Sequence, residues 1–289
     1  MRRPSSARDL MRRPVARAAV ALAALALAPF AAALAHDTWL LPLRAVVPPG
    51  TELLLDLTSG MRFPASETAV RSDRVALARV RLGGAVEAVP APRGAPHSLR
   101  FRAPLRRPGV ATLWVDLAPR ELSLDSAQVE EYLAEVGAPD SVRVAYLRQF
   151  PAGGVRRWRE RYGKHAKAVV RVTSPQRPAP PADSSWGVPA GQALELVPEV
   201  DPTALRPGDV LRVRVLGPGG APVPSVAVGL VGAGTRGTGL VARTGADGRA
   251  ELRLPGAGRW MLRATVLRRA AGPDLDWESD FATLTGATR

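Results

Sequence analysis

The 289-residue chain carries 40 Lys and Arg against 26 Asp and Glu, a formal net charge of +14, and no cysteine. The lack of cysteine excludes disulfide stapling and thiolate metal sites, so the fold must rest on burial alone. Its arginines are scattered through alternating stretches such as 75–82 and 211–215. A nucleic-acid surface would gather them into a patch with interleaved aromatics, so no nucleic-acid partner is expected.

Residues 1–17 hold six arginines and one acid, Asp9, and a small-apolar run over residues 18–30 follows. Ala33-Leu34-Ala35 then supplies the small-x-small pattern that signal peptidase accepts. A Sec-type signal peptide over residues 1–35 is predicted, with cleavage after Ala35, export to the periplasm and His36 as the first mature residue. The apolar run is shorter than the roughly 20 residues a membrane-spanning helix needs, and no transmembrane segment is expected after cleavage. Removing six arginines and Asp9 leaves 34 basic and 25 acidic side chains, a net charge of +9. The 254 residues that remain are enough chain for two ordinary cores.

Proline and glycine punctuate the mature chain into short strands. Residues 36–41 and 52–57 read as strands around a Pro48-Pro49-Gly50 turn, and 75–82, 98–103 and 110–117 add more with period-two alternation. Residues 126–162 differ, because Val129, Tyr132, Leu133 and Val136 recur at helical spacing before a Gly137-Ala138-Pro139 stop. Further helices are predicted over 141–149 and 155–162, with a strand resuming at 168–172. Residues 174–191 are Pro/Ser/Ala-rich and read as a linker. Beyond them, strands at 194–197, 210–216, 226–231 and 260–267, with a hairpin turn at Asp247-Gly248, predict a β-sandwich. The fold class is therefore mainly β, with two β-sandwich domains (36–173 and 192–289), the first carrying a helical insertion. Trp260 and Trp277 are predicted to be buried in the second sandwich.

Four segments in order carry a resemblance: Ala35-His36-Asp37-Thr38-Trp39-Leu40, Glu160-Arg161-Tyr162-Gly163-Lys164-His165-Ala166-Lys167, Leu194-Glu195-Leu196-Val197-Pro198-Glu199-Val200-Asp201-Pro202 and Asp276-Trp277-Glu278-Ser279. Together they resemble a large bacterial family of exported proteins of unknown function, whose members are commonly labelled as periplasmic components of cobalt or nickel uptake systems. The resemblance implies a two-domain β protein whose second domain is an Ig/transthyretin-like or carboxypeptidase-regulatory-like sandwich. It also implies service to a metal transporter of the inner membrane as partner.

The sharpest chemical candidate is His36. At a free N-terminus its α-amine and ring Nδ1 form one chelate, suited to Cu(II) or Ni(II) with nitrogen ligands. The amine's pKa, near 8, lets a divalent metal displace its proton at neutral pH. His97 and His165 are weaker candidates for a further ligand. Asp276, Glu278 and Asp280 share one face of a strand and could gather a cation, although a solvated outer face opposite Trp277 and Phe281 is the better account of them. Glu130, Glu131 and Glu135 fall on the first helix, where nearby arginines suggest surface pairing. No nucleophile elbow, phosphate loop or dinucleotide fingerprint is present, so an enzyme is not expected. The leading expectation is a periplasmic protein that binds a Ni, Co or Cu ion or assists its uptake. The alternative is a non-enzymatic envelope interaction module that recognises protein or glycan through its sandwich loops. No sequence feature sets an oligomeric state.

Overall fold

The computed structural model describes residues 36–149, 157–174, 176, 183–232, 234, 235 and 239–289. The predicted signal peptide, residues 1–35, lies outside the described residues, as do most of residues 174–182 of the predicted linker. The first half runs through β1 (Asp37–Pro42), β2 (Val46–Val47), β3 (Thr51–Gly60), β4 (Thr68–Ala69), β5 (Val75–Leu82), β6 (Ala85–Ala88), β7 (Arg93–Ala95), β8 (Ser98–Leu105) and β9 (Gly109–Asp125). Helices α1 (Ser126–Glu135) and α2 (Asp140–Gln149) precede β10 (Arg157–Val172). The second half adds β11 (Glu195–Pro198), β12 (Val210–Leu216), β13 (Ala227–Gly232), β14 (Leu240–Arg243), β15 (Arg249–Arg253), β16 (Arg259–Arg269) and β17 (Trp277–Ala287).

The protein is mainly β, as its alternation predicts, and its layers pack as β-sandwiches that share a sheet. A nine-stranded sheet in the order β14-β13-β16-β17-β10-β9-β5-β6, with β2 also on β10, draws strands from both halves. Its junction is the parallel pairing of β10 with β17, from Glu160 opposite Trp277 to Ala168 opposite Thr285. A five-stranded sheet (β1, β3, β8, β7 and β4) and a three-stranded sheet (β11-β12-β15) complete the layers.

The two smaller sheets cover opposite faces of the large one, and β10 shows why. Ala166, Ala168 and Val170 enter a core with Leu53, Leu55 and Phe101 of the five-stranded sheet. Val169, between them in sequence, enters a second core with Leu196, Leu211 and Leu252 of the three-stranded sheet. Adjacent strand residues point to opposite faces, so one strand feeds both cores.

Helix α1 starts on a capping box. Asp125 Oδ1 accepts from the amides of Ala127 and Gln128, each at 3.0 Å, and Gln128 Oε1 accepts from the Asp125 amide at 3.0 Å. Its end is a Schellman motif. Gly137 adopts φ +63°, and the Ala138 amide reaches the Leu133 carbonyl at 2.9 Å. Val129, Tyr132 and Leu133 bury one face against Trp158, Tyr162 and Trp277. There Glu160, fully buried, accepts from the Tyr132 hydroxyl at 2.8 Å and from Trp158 Nε1 and Ser279 Oγ, while burial raises its carboxyl.

Three details differ from the sequence reading. Residues 157–162, predicted helical, form the start of β10, and residues 155 and 156 lie outside the described residues. Trp158, Glu160 and Tyr162 are buried while Arg157, Arg159 and Arg161 are exposed, a period of two set by β9 on one edge and β17 on the other. Trp260 and Trp277 are both buried, but only Trp260 belongs to the second core. Trp277 stacks on Trp158, ring centroids 4.6 Å apart, in the cluster under the helices. Finally, the Asp247-Gly248 turn does not close a hairpin within one sheet, because it links β14 of the large sheet to β15 of the three-stranded one.

Candidate functional site

Strand β1 lies across the large sheet and carries the predicted mature N-terminus with it. Thr283 and Thr285 of β17 donate their hydroxyls to the Thr38 and Leu40 carbonyls at 2.7 and 2.6 Å. Lys164 is buried, and its Nζ donates to the His36 carbonyl at 2.6 Å while lying over the Tyr162 and Phe281 rings. Burial pushes the Lys164 ammonium down to about 8, against the pull of Asp37. Asp37 accepts from Arg263 Nη1 at 2.9 Å, yet burial outweighs that pairing and raises its carboxyl. The His36 ring is lowered, first by burial and then by the Lys164 charge.

Beside β1 a groove of about 400 Å³ opens on the large sheet. Its floor is Ala227, Gly229 and Val231 of β13, Val241 of β14, and Met261 and Arg263 of β16. Met61 and Phe63 form one wall, and Asp37 with Glu135 and Gly137 at the end of α1 forms another. Glycine at 229 is what lets the Arg263 side chain lie across β13 toward Asp37. A Cβ there would sit 3.1 Å from Cγ and Nε of that arginine. Phe63 is braced edge-on to Trp39, centroids 5.7 Å apart.

Glu135 does not follow the surface pairing predicted for the acids of α1. Glu130 pairs with Arg143 at 3.0 Å. Glu135 instead turns toward the groove, where burial and then the Asp37 charge raise its carboxyl. Its Oε1 is buried without a hydrogen-bond partner among the described residues.

The remaining sequence candidates lie elsewhere. His165 is buried in the large sheet, its Nδ1 2.7 Å from Asp116 and its Nε2 3.0 Å from Asp280. Burial works against its charge, but the two carboxylates prevail and raise the ring to about 9. As an imidazolium it donates both N–H groups and has no lone pair left for a metal. Gln192 also donates to Asp116 at 2.7 Å, and Arg268 to Asp280 at 2.6 Å. A Cβ at Gly163 would lie 2.7 Å from Asp280 Oδ1, so glycine makes room for the bridge. Asp280 is thus a buried partner and not part of a solvated face. Glu278 pairs with Arg161 and Arg268 at 3.2 and 3.3 Å, and Asp276 with Arg159 at 3.1 Å. The His97 carbonyl accepts from Thr58 Oγ1 at 2.8 Å. Among the described residues no group of three or more His, Cys, Asp or Glu is placed to hold a metal ion.

A second buried pair lies on the same face as His165. Lys167 donates to Glu195 and, at 3.2 Å, to the Leu196 carbonyl, while the Ala190 and Gly191 amides reach Glu195 at 2.6 and 2.8 Å. Arg81, stacked on Trp114, donates to the Val188 and Pro189 carbonyls at 2.6 and 2.9 Å. Residues 188–191 of the predicted linker are therefore pinned to the sheet.

Residues 33–268 match the family DUF4198, described as a domain of unknown function, and the chain belongs to that family. No curated protein matches. Among solved structures, a 1.5-MDa bacterial ice-binding adhesin aligns at a TM-score of 0.23 and 7% identity, over 88% of this chain and 64% of that one. The D0-D1 domain of intimin aligns at 0.21 and 10% identity, over 86% of this chain and 97% of that one. Salmonella α2-macroglobulin aligns at 0.24 and 12% identity, over 87% of this chain and 15% of that one. Scores of this size carry no functional argument.

The His165 bridge has a signed consequence for stability. A ring raised from 6.5 to about 9 stabilises the fold fully below pH 6.5, and the contribution fades as pH rises through about 9. The shift corresponds to on the order of 3 kcal/mol. Urea unfolding at stepped pH should show wild type losing stability across this window and His165→Gln losing much less. Equal slopes for the two proteins would contradict the assignment.

Proposed function

We propose that this chain is a non-enzymatic binding protein of the cell envelope and that the groove beside β1 is its recognition site. One observation carries the reading: the groove is lined mostly by apolar residues yet holds Glu135, whose buried Oε1 has no hydrogen-bond partner among the described residues. Apolar walls with a few convergent polar groups are what ligand sites of this size have in common. The leader predicted over residues 1–35 supports export. The absence of a catalytic motif from the sequence supports binding over turnover.

Nile red, a neutral apolar dye, tests the site directly. It should bind the chain starting at His36 saturably, and Ala227→Trp, which fills the floor, should weaken it by tenfold or more without lowering the unfolding temperature appreciably. Unchanged dye binding in the filled variant would remove the groove as the site.

A second reading, transition-metal binding at a mature N-terminus, is favoured by one feature. Burial and Lys164 lower the His36 ring, which keeps it in the neutral, ligating form, while its carbonyl is already engaged by Lys164. The residues that would hold Cu(II), Ni(II) or Co(II) are the amine and Nδ1 of His36 alone. Such an ion would bring Lewis-acid character to the N-terminal end of β1, and delivery to an inner-membrane transporter would be its use. Equilibrium dialysis should show tighter Cu(II) or Ni(II) binding to protein starting at His36 than to protein with one extra N-terminal residue, and weaker still to His36→Ala. Equal binding by all three, or by none, would end this reading.

A further inference from the structure

We infer that the groove takes a small amphipathic cation, an ammonium or guanidinium group set against Glu135 with its apolar body over Met61, Phe63 and Met261. The inference rests on the groove being the recognition site and adds the chemistry of what enters it. Of the two acids in the groove lining, Asp37 and Glu135, only Asp37 has a charged partner. Asp37 has Arg263 at 2.9 Å, and Lys164 has the His36 carbonyl and two aromatic faces. Arg263 and Lys164 influence Glu135 only through space, and its Oε1 keeps no hydrogen-bond partner among the described residues.

The position of Glu135 strengthens the case. It is the last residue of α1, where the helix presents its carbonyl end and its negative partial charge. Helices usually place a basic residue there, and the last turn of α1 contains none. An unpaired carboxylate beside a helix C-terminus repels an anionic ligand and attracts a cationic one. Phe63 offers aromatic surface, and Met61 and Met261 polarisable thioethers, all of which favour a cation carried on an apolar frame. A ligand can reach the site over β14, which ends the large sheet and whose groove-lining Val241 is 64% exposed.

Displacement of Nile red by three matched probes separates the possibilities: 2-phenylethylamine, 2-phenylethanol and 3-phenylpropionate. The amine should compete at least tenfold better than the alcohol, and the carboxylate should compete least. Glu135→Gln, which keeps the side-chain size, should abolish the preference for amine. Glu131→Gln, exposed on the same helix, should retain it. An amine that competes no better than the alcohol, or one whose advantage survives Glu135→Gln, overturns the inference while leaving the groove as a site. Failure of the dye to bind, or binding insensitive to Ala227→Trp, overturns the site and the inference together.

Discussion

Strand β10 is bonded on both edges and, over residues 162–170, buried on both faces, and this constraint organises the molecule. Its antiparallel partner β9 comes from the first half and its parallel partner β17 from the second. Because the five-stranded sheet covers one face there and the three-stranded sheet the other, the polar side chains of His165 and Lys167 have no water to turn to. Gly163, His165 and Lys167 alternate along one face, and the bridge from Asp116 through His165 to Asp280 spans all three strands. Lys167 and Glu195, both buried, reach across to the three-stranded sheet. Removing one partner of such a pair leaves an uncompensated buried charge, whereas replacing both with apolar groups is often neutral. Leaving any one of these groups without its partner is therefore costly to the fold.

The groove is a consequence of the same layering. Leu230 and Leu262 point toward the three-stranded sheet, while Val231 and Met261, their neighbours in sequence, point to the opposite face. Over that face the cover among the described residues is β1, at the edge of the five-stranded sheet, with the chain around Phe63 and the end of α1. They leave about 400 Å³ open. The predicted mature N-terminus is held at its rim by Lys164, so a recognition site and a candidate chelate adjoin without sharing side chains.

Much of this was legible in the sequence because local pattern governed it. Helix α1 followed from Val129, Tyr132, Leu133 and Val136 and from the Gly137 stop, and most strands followed from alternation. The start of β10 was not legible, since Trp158 and Tyr162 are four apart and satisfy a helix as well as a strand; pairing with β9 and β17 decided between them. The parallel β10–β17 contact joins residues more than a hundred apart, and no local signal announces it. A signal for the His165 bridge did exist. Gly163, His165 and Lys167 occur at every second position beside the apolar run 168–170, the mark of a buried strand whose polar face has partners. Glu135 was unreadable for a different reason, because its neighbours Glu130 and Glu131 made it one of three surface-like acids until the fold separated them.

If β10 and β17 bind the halves into one body, the groove is a property of the whole chain and of neither half. Native-state hydrogen exchange under increasing urea tests this most directly. Amides of β9, β10, β17 and β16 should open together, with a common free energy and a common urea dependence that match global unfolding. Two separate openings, one for β9 and β10 and another at lower free energy for β16 and β17, would contradict it.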